Sequence, residues 1–453
     1  MKVLSGRRSG EGAGCPAPSA LLLLLLIGSM GWCTFASADD APPPPPGPRL
    51  ERLFAPLKQD LASFPPFLRD TNLSTHYRIY YLNQARPSDT QSEALATGGW
   101  ISYESGWLLD TFSLGASLYG SAPLYAPADR DGTLLLKTGQ KGYFVPGEAW
   151  GALRYGDYAL LKGYRQLVDQ TYINPQDNRM TPNTFEGVTL GGAEAWAQYL
   201  AGYLWNIKTR NSDEFVAMSS AAGVKGHHDG VALAGVRLSP PVPGLRIDLS
   251  NQYGVNTFNT FYVRADYVYA LNADWKVGLG AEITDQRAVG DALLANADSK
   301  YWVTQSGGVR IQLIWPDLTL SAAFSITGAG NTVQNPWGSF PGYLSMIDQD
   351  FDQANEKAWL IGAAYDFSKL LTPGLSGNFN FAWGIDSINP ATRKTASNQA
   401  EYDFTADYRP PWRWPPFLQG VWFRARADIV DQQNAKTLGY QFRLSLNWER
   451  DLL

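Results

Sequence analysis

The sequence predicts an all-β fold, a transmembrane antiparallel barrel of about 18 strands with short turns at one end and long loops at the other. Three observations carry that expectation. Apolar and polar residues alternate in one short stretch after another, and the polar face repeatedly carries arginine. No apolar run reaches the roughly 20 residues that a membrane-crossing helix needs. Every second connection is short and rich in turn-forming residues, whereas the connections between them are long. The stretch from Val421 to Ile429 is the clearest case: Val421, Phe423, Ala425, Ala427 and Ile429 share one face, and Arg424, Arg426 and Asp428 the other. Side chains alternate across a strand, so this is a ribbon with one greasy and one wet side.

At the N-terminus, Arg7 and Arg8 precede an apolar run from Leu21 to Ile27, and Ala36-Ser37-Ala38 is a small-residue cleavage site. Residues 1–38 therefore read as a secretory signal peptide. Trp32 before Cys33 does not suit lipid attachment, which wants a small residue there. Both cysteines, Cys15 and Cys33, lie in the segment expected to be removed, so the mature chain carries no disulfide framework. Loss of Lys2, Arg7, Arg8 and Glu11 takes the net charge from −5 to about −7, which argues against nucleic acid as a partner. The 23 Tyr, 16 Trp and 20 Phe suit interface girdles. The mean hydropathy of −0.23 fits strands with one wet face.

Residues 39–69 read as a periplasmic segment. Its Pro42–Pro48 tract favours extended polyproline II, and Leu50, Leu53, Phe54, Leu57 and Leu61 recur at helical spacing, with Pro56 expected to spoil the middle of the helix. The barrel domain is expected over 70–453. Its first strand alternates Leu73, Thr75, Tyr77, Ile79 and Tyr81 with Ser74, His76, Arg78 and Tyr80. Further ribbons are expected near 97–107, 108–119, 149–156, 158–166, 186–194, 196–207, 231–239, 244–252, 260–271 and 275–286. The remainder fall near 302–315, 318–327, 356–367, 375–386, 400–409, 418–430 and 437–448. Gly156-Asp157, Pro240 to Gly244, Asn272 to Asp274 and Pro316-Asp317 form short turns by fixed φ, tolerated αL and local side-chain bonds. The long loops are 120–148, 167–185, 208–230, 287–301 and 328–355. A soluble sandwich or propeller would not place its long loops at one end only.

An arginine on the lipid face costs roughly 2–4 kcal/mol at the midplane, so these arginines are assigned to the lumen. Arg424 and Arg426 lie opposite the Val421 face, and Arg443 lies opposite Tyr440, Phe442, Leu444, Leu446 and Trp448. Arg264 lies opposite Phe261, Val263, Ala265, Tyr267 and Tyr269; Arg310 and Arg154 follow less cleanly. The plainer alternative is a wall group paired to an acid such as Asp248, Asp266, Glu282 or Asp428. Guanidinium groups in a row pass a carboxylate between bidentate partners without trapping it. No enzyme site emerges from His76, His227 and His228, and no metal spacing or phosphate-binding glycine loop calls for a cofactor.

Several segments resemble the OprD-type substrate-specific porins of the Gram-negative outer membrane. They are Asp177-Asn178-Arg179-Met180-Thr181-Pro182-Asn183-Thr184-Phe185-Glu186-Gly187, Asn355-Glu356-Lys357-Ala358-Trp359 with Tyr365-Asp366-Phe367 and Pro373-Gly374-Leu375, and Val421-Trp422-Phe423-Arg424-Ala425-Arg426. The resemblance runs from about Phe67 to the C-terminus. It implies a monomeric barrel whose third and seventh loops fold inward, an arginine ladder, and passage of small anionic or zwitterionic solutes such as organic acids, amino acids or short peptides. By the same resemblance Tyr172 and Arg179 in one loop, and Tyr343, Asp348, Asp350 and Asp352 in the other, would form the constriction. The surroundings implied are outer-membrane lipid and lipopolysaccharide, with barrel assembly machinery for insertion. The chain departs from the pattern in ending Trp448-Glu449-Arg450-Asp451-Leu452-Leu453 without a terminal aromatic, and in the stiff turn Pro410-Pro411-Trp412-Arg413-Trp414-Pro415-Pro416. A general diffusion porin and a non-conducting structural or adhesion barrel are the competing functions.

Overall fold

The computed structural model describes residues 54–88, 90–156, 158–294, 300–411 and 415–453. The expected signal peptide, the Pro42–Pro48 tract, Asp157 and Trp412–Trp414 lie outside the described residues.

One antiparallel sheet closes on itself. It has 19 strands, one of which is the two-residue Val216–Ala217 inside a loop, so eighteen form the wall. In chain order these are β1 (Asn72–Ala85), β2 (Gln91–Glu104), β3 (Phe112–Tyr125), β4 (Tyr143–Tyr155), β5 (Ala159–Gln166) and β6 (Thr184–Glu194). Then come β7 (Ala197–Lys208), β8 (Val231–Leu238), β9 (Leu245–Gly254), β10 (Phe258–Ala270), β11 (Lys276–Ala288) and β12 (Val303–Ile314). The last are β13 (Leu318–Thr327), β14 (Lys357–Asp366), β15 (Leu375–Ile385), β16 (Gln399–Tyr408), β17 (Val421–Gln432) and β18 (Gly439–Asp451). Each pairs with its sequence neighbour, and β1 closes the ring on β18 with Tyr77 opposite Trp448 and Ile79 opposite Leu446. Closure leaves no edge strand with unpaired backbone groups in lipid, which is what makes a β-structure viable there.

The alternation sorts residues as the sequence implies. Phe423, Ala425, Ala427 and Ile429 on β17 pair with Leu446, Leu444, Phe442 and Tyr440 on β18, forming an outward apolar surface. Arg426 pairs with Arg443 on the inward face, where both are buried. Each of the eighteen expected strands has its counterpart, with boundary shifts near the start. The ribbons placed at 97–107 and 108–119 are displaced because Leu108 and Leu109 imitate alternation. In the structure Leu109 and Asp110 take φ of 50° and 59° and make the turn. β3 and β4 also run further than expected, which shortens the loop between them to residues 126–142.

Two turns depend on glycine. At Gly244 (φ 83°) a Cβ would lie 2.1 Å from the Val268 carbonyl oxygen, and at Gly374 (φ 85°) 1.9 Å from that of Arg409. Before the barrel, α1 (Ala55–Asp60) carries Pro56 in its first turn rather than being broken by it, since proline at the first helical positions removes only an N–H that lacks a partner there. A 3-10 turn (Leu61–Ser63) and α2 (Pro66–Arg69) follow. This segment is tied to the short-turn end: Phe54 N–H donates to Leu452 O at 2.8 Å, and Gly106 N–H to Phe67 O at 2.9 Å.

Candidate functional site: an eyelet between two inward loops

Two long loops turn into the lumen and meet there. Loop L3 (167–183) begins against one wall, where Thr171 Oγ1 and Ser250 Oγ share a hydrogen bond of 3.0 Å and the Tyr172 hydroxyl meets Thr284 Oγ1 at 2.7 Å. It crosses to the opposite wall, where Asp177 accepts both Nη groups of Arg78 at 2.6 and 2.8 Å. Loop L7 (328–356) is a second crossbar. The guanidinium groups of Arg264 and Arg310 both pack on the ring of its Tyr343, 4.4 and 4.5 Å from the ring centre. Tyr343 also donates its N–H to Glu282 (2.8 Å) and its hydroxyl to Asp266 (3.2 Å).

The far side of L7 docks on β16 and β18. Ile347 N–H donates to Asp403 at 3.0 Å, while Asp348 and Gln349 N–H both donate to Glu401 at 2.8 Å. Arg443 Nη2 donates to the Ile347 carbonyl at 2.9 Å. The loops are joined through Asn174, whose Oδ1 accepts Ser339 N–H at 3.0 Å. Buried backbone donors and acceptors of these irregular segments are thus met by wall side chains, as burial requires.

Between the loops and the β18 wall lies a cavity of about 250 Å³. Its lining includes Arg86, Arg179, Arg210 and Arg443 together with Asp348 and Asp350 of L7. Gln84 donates to Asp348 at 2.8 Å; Ser345 and Asn335 donate to Asp350 at 2.7 and 3.2 Å. Burial first, then the charges of Arg443 and Arg210, hold Arg179 well below the ordinary arginine range. Burial, then the charge of Arg443, brings Arg210 down to about 10. Burial raises Asp350, and neighbouring Asp348 adds to the rise against the hydrogen bonds from Ser345 and Asn335. Cations that disfavour one another beside destabilised carboxylates form a site whose charges gain from a ligand of opposite sign. Among the described residues no cluster of His, Cys, Asp and Glu is placed to hold a metal ion.

The expected site residues separate into groups. Arg179, Arg443, Asp348 and Asp350 come together on the cavity. Arg426 lies beside Arg443, and Arg424 is one inward position further toward the short-turn end, bidentate to Asp407 at 2.7 and 2.8 Å. Tyr172, Tyr343, Arg264 and Arg310 hold the loops in place instead, and Arg264 and Arg310 share Asp266 at 2.7 and 3.1 Å. Asp352 is buried at the root of L7. Arg154 departs from the expected row: it is bonded to Asp110 in the β2–β3 turn and stacked on Trp107, at the barrel's short-turn rim.

Residues 65–412 match the outer membrane porin, OprD family. The chain belongs to the OprD family. The porin therefore lies in the bacterial outer membrane, short turns toward the periplasm and long loops outward, and is a substrate-specific channel rather than an enzyme. OpdK of Pseudomonas aeruginosa, solved with vanillate, is similar at 20% identity and a TM-score of 0.74, over 85% of this chain and 100% of its own. OccK9 (OpdG) of the same organism gives 20% identity and 0.75, over 86% and 100%. OccAB1 of Acinetobacter baumannii gives 16% and 0.75, over 87% and 100%. At these identities the shared property is the fold. No curated protein sequence matches the chain.

Sequence reasoning missed Arg78, Arg86 and Arg210. Arg78 was legible on the polar face of the first ribbon. Arg86 and Arg210 stand outside the strands, where no periodicity assigns a direction.

Proposed function

We propose that the porin selects small solutes bearing a carboxylate, zwitterions included, and passes them along Arg443, Arg426 and Arg424 toward the periplasm. The observation that carries this reading is the cavity itself, which Arg86, Arg179, Arg210 and Arg443 line together with Asp348 and Asp350. A carboxylate entering there exchanges water for charge-assisted donors in a narrow, low-dielectric space. An ammonium on the same solute finds acceptors on L7. Arg424 and Arg426 are two residues apart on one strand, which spaces them about 7 Å along it, close enough to hand a carboxylate on. Vanillate, seen with OpdK, is itself a carboxylate, which is consistent with this chemistry.

The test is proteoliposome swelling with solutes matched in size: a monocarboxylate, its primary amide and the corresponding amine. The carboxylate should enter fastest and the amine slowest. Equal rates for all three would overturn the reading.

A further inference from the structure

We propose that Arg78 is a positioning residue that sets the channel's charge filter from behind, by holding three consecutive residues of L3 in place. Arg78 is absent from the cavity lining given above, and only 6% of it is exposed. Its Nη1 and Nη2 grip both oxygens of Asp177, and Nη1 also donates to the Arg179 carbonyl at 2.6 Å. Its Nε donates to Asn447 at 3.0 Å and lies 2.9 Å from His76 Nε2. The His76 ring in turn packs 4.2 Å from Trp100, over which the Arg78 guanidinium also sits at 5.1 Å. The fork is therefore fixed on its wall side and spends its outer edge on the loop.

The held segment is the one from which the filter's cations hang. Arg179 projects from it, with Nε on the Thr133 carbonyl and Nη1 on the Asn178 carbonyl. Arg210 reaches it through a hydrogen bond from Nη1 to Asn178 Oδ1. One guanidinium thus governs where two others point. Lysine cannot replace it, because a single ammonium supplies neither the paired donors for Asp177 nor the additional one for the Arg179 carbonyl in a fixed plane.

The test uses the full-length porin in planar bilayers under a KCl gradient, reading the chloride-to-potassium permeability ratio from the reversal potential. This readout is independent of which organic solute is carried, so failure of the carboxylate reading and failure of this one are distinguishable. Arg78→Lys keeps the charge, and should lower the ratio by about threefold through disorder of Arg179 and Arg210 in a focused field. Asp177→Asn is the sharper variant and lies in a loop rather than in the wall. By charge alone, removing an acid should raise anion preference; loss of the clamp predicts a fall. The double variant should be no worse than either single one, since both break the same contact. Heat-dependent gel mobility of each variant checks that the barrel is closed. A rise in the ratio for Asp177→Asn, a wild-type ratio for Arg78→Lys, or additive losses in the double variant would each overturn the proposal.

Discussion

Replacing Tyr343 with leucine should loosen L7 without disturbing the barrel wall. Leucine keeps much of the apolar volume but gives up the aromatic ring and the hydroxyl. Arg264 and Arg310 pack on the ring at 4.4 and 4.5 Å from its centre, and its hydroxyl reaches Asp266 at 3.2 Å. A desolvated cation–π contact contributes about 1–2 kcal/mol, and a hydrogen bond to a charged acceptor about 1.5–3 kcal/mol. Allowing for water and rearranged arginines, the net loss at this anchor is about 3 kcal/mol, or roughly a 100-fold rise in the undocked population of the loop. The Ile347–Gln349 anchor on Glu401 and Asp403 remains, so excursions should be brief. Single-channel recording should therefore show many more short conductance fluctuations for Tyr343→Leu, and a smaller increase for Tyr343→Phe, which keeps the ring but loses the hydrogen bond to Asp266. A quiet Tyr343→Leu channel, or a Tyr343→Phe channel as noisy as Tyr343→Leu, would mean that the ring does not anchor L7.

Other expectations follow from the same contacts. Asp407 is buried and bidentate to Arg424, so Arg424→Gln should lower the unfolding temperature more than the Arg424→Gln/Asp407→Asn double variant does, as calorimetry in detergent can check. At Asp177, burial works against ionisation, but the charge and hydrogen bonds of Arg78 outweigh it and hold the carboxyl below the usual range. A depressed acid stabilises above its unfolded value and loses that contribution as pH falls through the folded one. Resistance of L3 to proteolysis should therefore persist down through the ordinary carboxylate range and fail only below it, with Arg78→Lys moving the failure upward. A cysteine at Ala391 should react with an impermeant thiol reagent on intact cells, and one at Asp274 should not. Intact mass of the mature protein should place its first residue at Asp39, with no lipid attached.

The barrel was legible because alternation reports which face is wet, and lipid enforces that pattern on every strand. Val421 to Ile429 alone shows both faces, although alternation fixes the face and not the register opposite β18, which a two-residue slip would leave equally well sorted. The eyelet was legible only in part. Arg443 could be placed because it stands on a strand whose neighbours declare its direction. Arg210 stands just past the end of β7, where nothing in the sequence says that it bends into the lumen rather than into solvent. Arg264 and Arg310 were given the right face, yet sequence cannot show that Tyr343, a residue of a distant loop, takes both. Nor could the count of compensating acids near Arg424, Arg426 and Arg443 be read from β17 and β18 alone. Glu401, Asp403 and Asp407 enter from β16, and two of the three are engaged by L7 backbone.

If the clustered arginines of the eyelet choose carboxylates, the choice is visible in the reversal potential under a gradient of a sodium monocarboxylate, for wild type and for Arg443→Gln. Glutamine keeps hydrogen-bonding capacity and removes one of the charges lining the cavity. The wild-type channel should prefer the carboxylate to sodium, and Arg443→Gln should lose much of that preference while conductance in KCl stays of the same order. An unchanged reversal potential in Arg443→Gln, or a wild-type channel that prefers sodium, would contradict that choice.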